Sequence, residues 1–122
     1  MTLKPIVFDD SALIALFDAH PYVADVWHQC ELTGRIAIFP AAAVQVANTV
    51  LGASQSAWAA LLFPPVEVVE LGSWSAVEAG LVPGTDFASS HCIVEAEAAG
   101  AAILTRRPDT YRWRKIVTLN FN

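Results

Sequence analysis

The chain has 122 residues, of which 55% are hydrophobic and only 16% are charged. This length suits one domain spanning residues 1–122, and so apolar a chain can fill a core without disulfides or a structural metal. The net charge of −5 argues against a surface that coats nucleic acid broadly. No apolar run approaches the roughly 18 residues of a membrane-spanning helix. The first residues lack the features of a signal peptide, and we expect a cytoplasmic protein with no membrane partner.

Short β-branched and aromatic runs alternate with helical spacing along the chain. In chain order, the pattern predicts a strand at residues 5–8, helices at 12–17 and 22–32, a strand at 35–39, helices at 40–51 and 54–62, a strand at 66–71, helices at 73–80 and 86–99, and strands at 101–105 and 116–119. Alternating strands and helices require crossover connections. The sequence therefore predicts an α/β fold, a three-layer sandwich around a mainly parallel five-stranded sheet.

Acidic side chains stand near the ends of the predicted strands, where sites in parallel sheets lie. Asp9 and Asp10 follow the first strand, Asp86 begins the helix before the fourth strand, and Asp109 follows that strand. Carboxylates gathered in one cleft repel one another unless a cation neutralises them. Hard oxygen ligands suit Mg²⁺ or Mn²⁺. The four aspartates therefore predict a metal site at one edge of the sheet.

Each of these acids also has a structural interpretation. Asp10, or Ser11 beside it, is placed to cap the first helix, and Thr85 is placed to cap the helix that Asp86 begins. The dipole of that helix also favours the Asp86 carboxylate. Asp109 is typical of a turn. Asp9 directly follows an apolar strand and has no evident local role, which makes it the strongest metal candidate. His91, five residues after Asp86, is a minor candidate.

Basic residues are concentrated near the end of the chain. Five of the seven Lys and Arg residues lie in one ten-residue window: Arg106, Arg107, Arg112, Arg114 and Lys115. The window predicts either a cationic strip that binds substrate phosphates or a solubilising loop that pairs with surface acids. Trp113 lies inside it and suits stacking on a base, although a core position or a partner contact explains it equally well.

Three segments carry a resemblance to a known family. Residues 6–16 read Ile-Val-Phe-Asp-Asp-Ser-Ala-Leu-Ile-Ala-Leu, with Asp9 ending the strand and Ser11 two positions later. Residues 85–96 give a helix that begins with Asp86, and residues 100–105 give a strand that ends with Thr105. In this order the segments are similar to PIN domains, including VapC-type toxins.

The resemblance implies a PIN-like fold and a metal-dependent endoribonuclease, a hydrolase that binds Mg²⁺ or Mn²⁺ through three or four acids. Asp9 and Asp86 match acidic positions of the family, so the resemblance gives them catalytic and metal-binding roles. Asp10 and Asp109 are weaker candidates for the same metal. The implied partners are RNA, as the substrate, and an antitoxin protein that holds the enzyme in check.

Two acidic positions of the family are not acidic in this chain. The middle helix offers Gln45 or Asn48 where the family has a glutamate, and Arg107 stands where the family has its last aspartate. A guanidinium cannot ligate a metal. It can contact a substrate phosphate, or it can pair with Asp9 and Asp86 and neutralise them. The alternative function is therefore a catalytically inactive PIN-like module that binds RNA or a protein partner.

Response-regulator receiver domains offer a further resemblance, carried by the paired acids Asp9 and Asp10 and by Thr105. It fails at the third strand, which does not end in aspartate, and at Lys115, which precedes the fifth strand instead of following it.

The apolar composition also bears on oligomeric state. Trp58 and Trp74 lie on predicted middle helices, and so apolar a chain favours a homodimer.

Overall fold

A single five-stranded sheet organises the chain. The computed structural model describes residues 3–83, 85–112 and 114–122. The strands are β1 (Ile6–Phe8), β2 (Ala37–Pro40), β3 (Val66–Val69), β4 (Ala102–Thr105) and β5 (Thr118–Asn120). All four pairings are parallel, in the order β3-β2-β1-β4-β5. The predicted α/β class and the parallel five-stranded sheet are confirmed.

Helices occupy the crossovers between successive strands. They are α1 (Asp10–Phe17), α2 (Pro21–Thr33), α3 (Ala41–Leu51), α4 (Gln55–Ala59), α5 (Ser73–Gly80) and α6 (Phe87–Ala99), and a one-turn 3₁₀ helix covers Pro108–Tyr111. The strand order runs outward from β1 to β3 and then returns to β4. Because such crossovers are right-handed, this reversal places helices on both faces of the sheet. Within the described ranges, no helix is long and apolar enough to cross a membrane.

The core lies on both sides of the central strands. Every residue of β1 and β2 is buried, which explains why these strands are continuously apolar instead of alternating. The rings of Phe8 and Phe39, one on each strand, pack with their centroids 5.2 Å apart. Trp58 also belongs to the core, where its ring packs 4.7 Å from that of Phe17.

Several boundaries differ from those predicted, and strand pairing explains the shifts in β3 and β5. β3 ends at Val69, not at residue 71, because Val69 pairs with Pro40 and α3 begins directly after that proline. β5 covers Thr118–Asn120, not residues 116–119, because its register follows β4, in which Thr105 pairs with Asn120. Both strands lie at sheet edges, so a single neighbour sets their length.

The centre of the sheet positions the candidate site. β1 and β4 are neighbours, and the direction of the crossovers reverses between them. Ligands of doubly wound sheets bind in the crevice beyond the carboxyl ends of the strands at such a point. The residues that follow β1 and β4 therefore meet at this crevice.

Candidate functional site

Asp9 is the first residue after β1, and its side chain is fully buried. It is the N-cap of α1, where its Oδ1 accepts hydrogen bonds from the Ser11 hydroxyl at 2.6 Å and from the Ala12 N–H at 3.0 Å. Its Oδ2 accepts a hydrogen bond from the Tyr111 hydroxyl at 2.9 Å. The prediction that Asp10 or Ser11 caps this helix is wrong. Asp9 has the extended backbone that a capping residue needs, and Asp10 already lies in the first helical turn.

Asp10 is also largely buried, and a cation lies directly on it. Nη2 of Arg107 donates a hydrogen bond to Asp10 Oδ1 at 2.5 Å and lies 4.0 Å from Asp9 Oδ2. The backbone N–H of Arg107 donates to the Thr105 hydroxyl at 2.9 Å, which holds the residue beside the end of β4. The arginine that the resemblance to PIN domains places at an acidic position therefore contacts Asp10 and approaches Asp9.

The electrostatics of this pair follow from its burial. Burial and the neighbouring charge of Asp9 raise the pKa of Asp10, and the Arg107 guanidinium opposes that rise. Burial alone would lower the pKa of Arg107, but the attraction of Asp10 and Asp9 outweighs it and raises that pKa. The arginine is therefore a permanent positive charge next to two buried carboxyl groups.

Asp86 repeats the capping arrangement of Asp9 on α6. It is the N-cap of that helix, its Oδ1 accepts from the Ser89 N–H at 2.8 Å, and its Oδ2 accepts from the Ser89 hydroxyl at 3.0 Å. The cap predicted at Thr85 is therefore wrong by one residue. Asp86 lies near enough to Asp10 for its charge to raise the pKa of that group. The structure thus brings Asp9, Asp10 and Asp86 to one edge of the sheet.

Asp109 has a different environment. It lies on the 3₁₀ helix, and its carboxylate forms an ion pair with Arg112. The side chains of this pair are 78% and 77% exposed. Asp109 therefore pairs with an arginine on the protein surface, whereas Asp9, Asp10 and Asp86 lie near one another.

The basic window is divided between the two ends of the sheet. Arg106 and Arg107 follow the carboxyl end of β4, whereas Lys115 precedes the amino end of the parallel strand β5. Arg106 lies over the ring of Phe121 at 5.1 Å, and Arg114 forms an ion pair with Glu97. Substrate binding by this window stays a prediction. Its Trp113 component lies outside the described residues.

The middle helix supplies no acid to the site. Asn48 of α3 is occupied in the turn after its own helix, where its Oδ1 accepts from the Ala53 N–H at 2.8 Å and from the Trp58 indole N–H at 3.0 Å. Its amide nitrogen donates to the Ala53 carbonyl at 3.2 Å. Gln45 is exposed to solvent. The two neutral residues at the family's glutamate position therefore have structural or surface roles.

His91 connects α6 to the start of α3. The side chain is fully buried, its Nδ1 accepts from the Ala42 N–H at 3.3 Å, and its Nε2 lies 3.5 Å from Glu95 Oε2. Burial lowers the pKa of His91, and the Glu95 charge opposes that effect. The neutral imidazole therefore joins two helices, and its hydrogen bonds do not involve the aspartates.

The guanidinium of Arg107 competes with an Mg²⁺ or Mn²⁺ ion for this cluster. Hydrogen-bond donors from the protein itself bond to both oxygens of Asp9 and both oxygens of Asp86. The guanidinium of Arg107 bonds to Oδ1 of Asp10 and lies 4.0 Å from Oδ2 of Asp9. Across residues 3–83, 85–112 and 114–122, no group of three or more His, Cys, Asp or Glu side chains is arranged to hold a metal. Because Mg²⁺ binds through as few as one or two carboxylates together with water and substrate phosphates, the position of Arg107, and not the number of acids, is the argument against a bound ion.

Sequence reasoning missed Ser89 and Tyr111, and it named Ser11 only as a possible cap and as part of the PIN-like motif. Ser11 and Ser89 lie two and three positions after their capping aspartates, a spacing that the sequence does display. Tyr111 gives no local signal, because it reaches Asp9 across 102 positions of sequence. Burial raises the pKa of Tyr111 far above its usual value, so the hydroxyl remains a hydrogen-bond donor to the carboxylate.

Comparison with known proteins bears on the fold. No family model matches the sequence, and no curated protein matches it. Among the solved structures that match its fold are three that are all under 15% identical to it. A toxin–antitoxin complex from Klebsiella pneumoniae is 14% identical with a TM-score of 0.73, covering 96% of this chain and 98% of that one. DNA-bound VapBC from Salmonella typhimurium is 10% identical with a TM-score of 0.70, covering 97% and 98%.

The third structure is VapBC2 from Rickettsia felis bound to a DNA fragment from its promoter. It is 12% identical with a TM-score of 0.65, and the match covers 96% of this chain and 98% of that one. VapC toxins are PIN-domain proteins. This chain has a PIN-like fold. The expectation drawn from the motif order is confirmed at the level of the fold. Asp9 and Asp10 follow β1 at the carboxyl ends of the strands of this PIN-like sheet, and Arg107 lies beside them.

Proposed function

We propose that this chain is a PIN-like module of toxin–antitoxin type that acts by binding a partner and not by hydrolysing RNA. The observation that carries the proposal is the position of Arg107. Its guanidinium hydrogen-bonds to Asp10 at 2.5 Å and lies 4.0 Å from Asp9. A fixed cation inside the acidic cluster does electrostatically what a metal ion would otherwise do, so the acids need none.

The capping geometry supports the same conclusion. Asp9 and Asp86 each stabilise the first turn of a helix, and a carboxylate at a helix N-terminus is favoured by the helix dipole. These acids therefore have a structural reason to be present in a protein without a metal site. Because a carboxylate that accepts capping hydrogen bonds keeps further lone pairs, the guanidinium of Arg107, and not the caps, distinguishes this cluster from a metal site.

Titration with Mn²⁺ by calorimetry tests the proposal, with Arg107→Asp as the matched variant because it restores an acid at the family's last acidic position. We expect no heat of binding for the wild type and saturable binding for the variant. RNA cleavage by the wild type that requires Mn²⁺ and is abolished by Asp86→Asn would contradict the proposal.

An exposed apolar surface supports a protein partner. Trp74 and Val77 on α5 and Leu81 directly after it follow helical spacing, with exposures of 83%, 54% and 72%. Phe87, at the start of the adjoining helix α6, is 89% exposed. Contiguous apolar side chains on a monomer mark an interaction surface, and the similar structures are complexes of a toxin with its antitoxin. We infer that this surface of α5 and α6 contacts a protein.

The protein that contacts this surface can be a second copy of the chain. Analytical ultracentrifugation of the wild type and of Trp74→Asp distinguishes a second copy from a different protein. We expect a wild-type dimer that the variant dissociates. A dimer that persists in the variant would remove this surface from the dimer interface, and a wild-type monomer would refute the homodimer and leave an antitoxin-type protein as the partner.

Metal-dependent RNA hydrolysis with Mg²⁺ or Mn²⁺ is the second candidate function. The convergence of Asp9, Asp10 and Asp86 at the switch point of the sheet favours it. It requires Arg107 to leave Asp10, and the calorimetric titration of the wild type separates the two functions directly.

A further inference from the structure

A cavity of about 560 Å³ lies at the end of the sheet opposite the acidic cluster of Asp9, Asp10 and Asp86. Its lining includes residues that precede β1, β2, β4 and β5, which places it at the amino ends of the strands. This volume is within the range of pockets that enclose small molecules, about 300 to 1,000 Å³. The cavity is therefore large enough for a ligand and separate from the site described above.

The charges around this cavity are opposite in sign to those of the whole protein. Lys4, Arg35 and Lys115 line it, which is three of the seven basic residues of a chain with a net charge of −5. The one acidic residue of its lining, Glu97, already forms an ion pair with Arg114. In the part of the chain that the structure describes, no carboxylate forms an ion pair with any of the three basic residues.

The three cations come from segments that the sequence separates widely. Arg35 precedes β2, Lys4 precedes β1 and Lys115 precedes β5, so only the sheet brings them together. Nε of Arg35 donates a hydrogen bond to the Lys4 carbonyl at 2.6 Å, which holds the guanidinium against the segment that precedes β1. With neighbouring strands about 4.8 Å apart, the three cations span roughly 14 Å along the edge. That span suits a ligand with more than one anionic group.

The remaining wall of the cavity is apolar. Ile116, Val117 and Leu119 line it together with small alanines, and Val117 is 69% exposed. Apolar side chains of this kind offer a surface for a flat ring, and lysine and arginine side chains are suited to bind phosphate oxygens. The ligand chemistry that fits both features is a nucleotide with its phosphate groups.

We propose that the cavity lined by Lys4, Arg35 and Lys115 binds the phosphate groups of a nucleotide, either free or at the end of a nucleic-acid strand. The site goes beyond the proposed function, because it lies on the other edge of the sheet and uses none of the aspartates. If the cavity binds no nucleotide, the partner-binding role proposed above is unaffected. If that role is refuted, the proposed nucleotide site in the cavity is unaffected.

The test measures the binding of ADP by calorimetry and of a fluorescently labelled single-stranded oligoribonucleotide by anisotropy, each at several salt concentrations. Lys115→Glu is the main variant, and Arg112→Glu is the matched control from the same basic window. Arg35→Gln is a second cavity variant that removes charge without reversing it. Circular dichroism checks that each variant is folded.

We expect Lys115→Glu to weaken binding about tenfold, because it removes one phosphate contact and adds a repulsion, and to reduce the salt dependence. Arg35→Gln should weaken binding less, and Arg112→Glu should leave it unchanged. Binding of ADP alone identifies a free nucleotide, and binding of the strand with a steeper salt dependence identifies a nucleic-acid end. Failure of both probes to bind, or equal losses in Lys115→Glu and Arg112→Glu, would overturn the proposal.

Discussion

Replacing Arg107 by methionine tests whether its guanidinium stabilises the acidic cluster. Methionine keeps an unbranched apolar side chain of similar length and removes only the charge and the hydrogen bond to Asp10. The matched control is Arg112→Met, since Arg112 also pairs with an aspartate but does so on the open surface. We expect the first variant to be destabilised clearly and the second hardly at all.

The magnitude follows from exposure. Removing one partner of a fully buried ion pair costs about 3–5 kcal/mol, whereas an exposed pair contributes about 0.2–1 kcal/mol. The side chains of Arg107 and Asp10 are 43% and 11% exposed, so the pair lies between these limits, and solvent screening reduces its value. We expect Arg107→Met to lower the free energy of unfolding by about 1–2 kcal/mol and Arg112→Met by less than about 0.5 kcal/mol.

Urea unfolding followed by circular dichroism measures both values, and a double-mutant cycle with Asp10→Asn isolates the pair. The cycle should return a coupling energy of about 1 kcal/mol, because neighbouring partners are not additive. If Arg107→Met destabilises the Asp10→Asn protein as strongly as the wild type, the guanidinium does not act through Asp10. The electrostatic reasoning would then be refuted.

Three further predictions concern single contacts. Tyr111→Phe leaves Oδ2 of buried Asp9 without its hydroxyl donor and should cost about 1–3 kcal/mol in urea unfolding. Asn48→Ala removes the hydrogen bonds to Ala53 and to the Trp58 indole, and should cost a similar amount, about 1–3 kcal/mol. The wild type should lose stability relative to Asp10→Asn as the pH rises from the ordinary value of 3.8 through the raised pKa of Asp10.

The sign of the pH effect follows from proton binding. Folding raises the pKa of Asp10, so in this window the folded state binds more protons than the unfolded state, and deprotonation on raising the pH disfavours folding. Arg107→Met should extend the window to higher pH, because Arg107 lowers that pKa. A pH-independent difference between the wild type and Asp10→Asn would contradict the assignment. For Asn48→Ala, the exposed Gln45→Ala is the control, and equal losses would show that the three hydrogen bonds contribute nothing.

Local signals predicted the elements, and pairing decided where they ended. The run of residues 5–8 and the glycine after each of α2, α3 and α6 are local features, since Gly34, Gly52 and Gly100 adopt the left-handed conformation that ends a helix. The ends of β3 and β5 depended on their neighbours in the sheet, which a linear pattern does not contain. The caps were misplaced by one residue for a related reason, because several adjacent residues can cap and only backbone geometry selects one.

The sequence by itself determined the parallel α/β class and the PIN-like order of motifs. It also predicted that four aspartates share one edge of the sheet, and the structure brings three of them, Asp9, Asp10 and Asp86, together there. These depend on local propensity and on the rule that parallel strands end at a common edge. Only the tertiary structure decided what neutralises the aspartates, because Arg107 reaches Asp10 across 97 positions of sequence. The same holds for Lys4, Arg35 and Lys115, which the sheet alone gathers around one cavity.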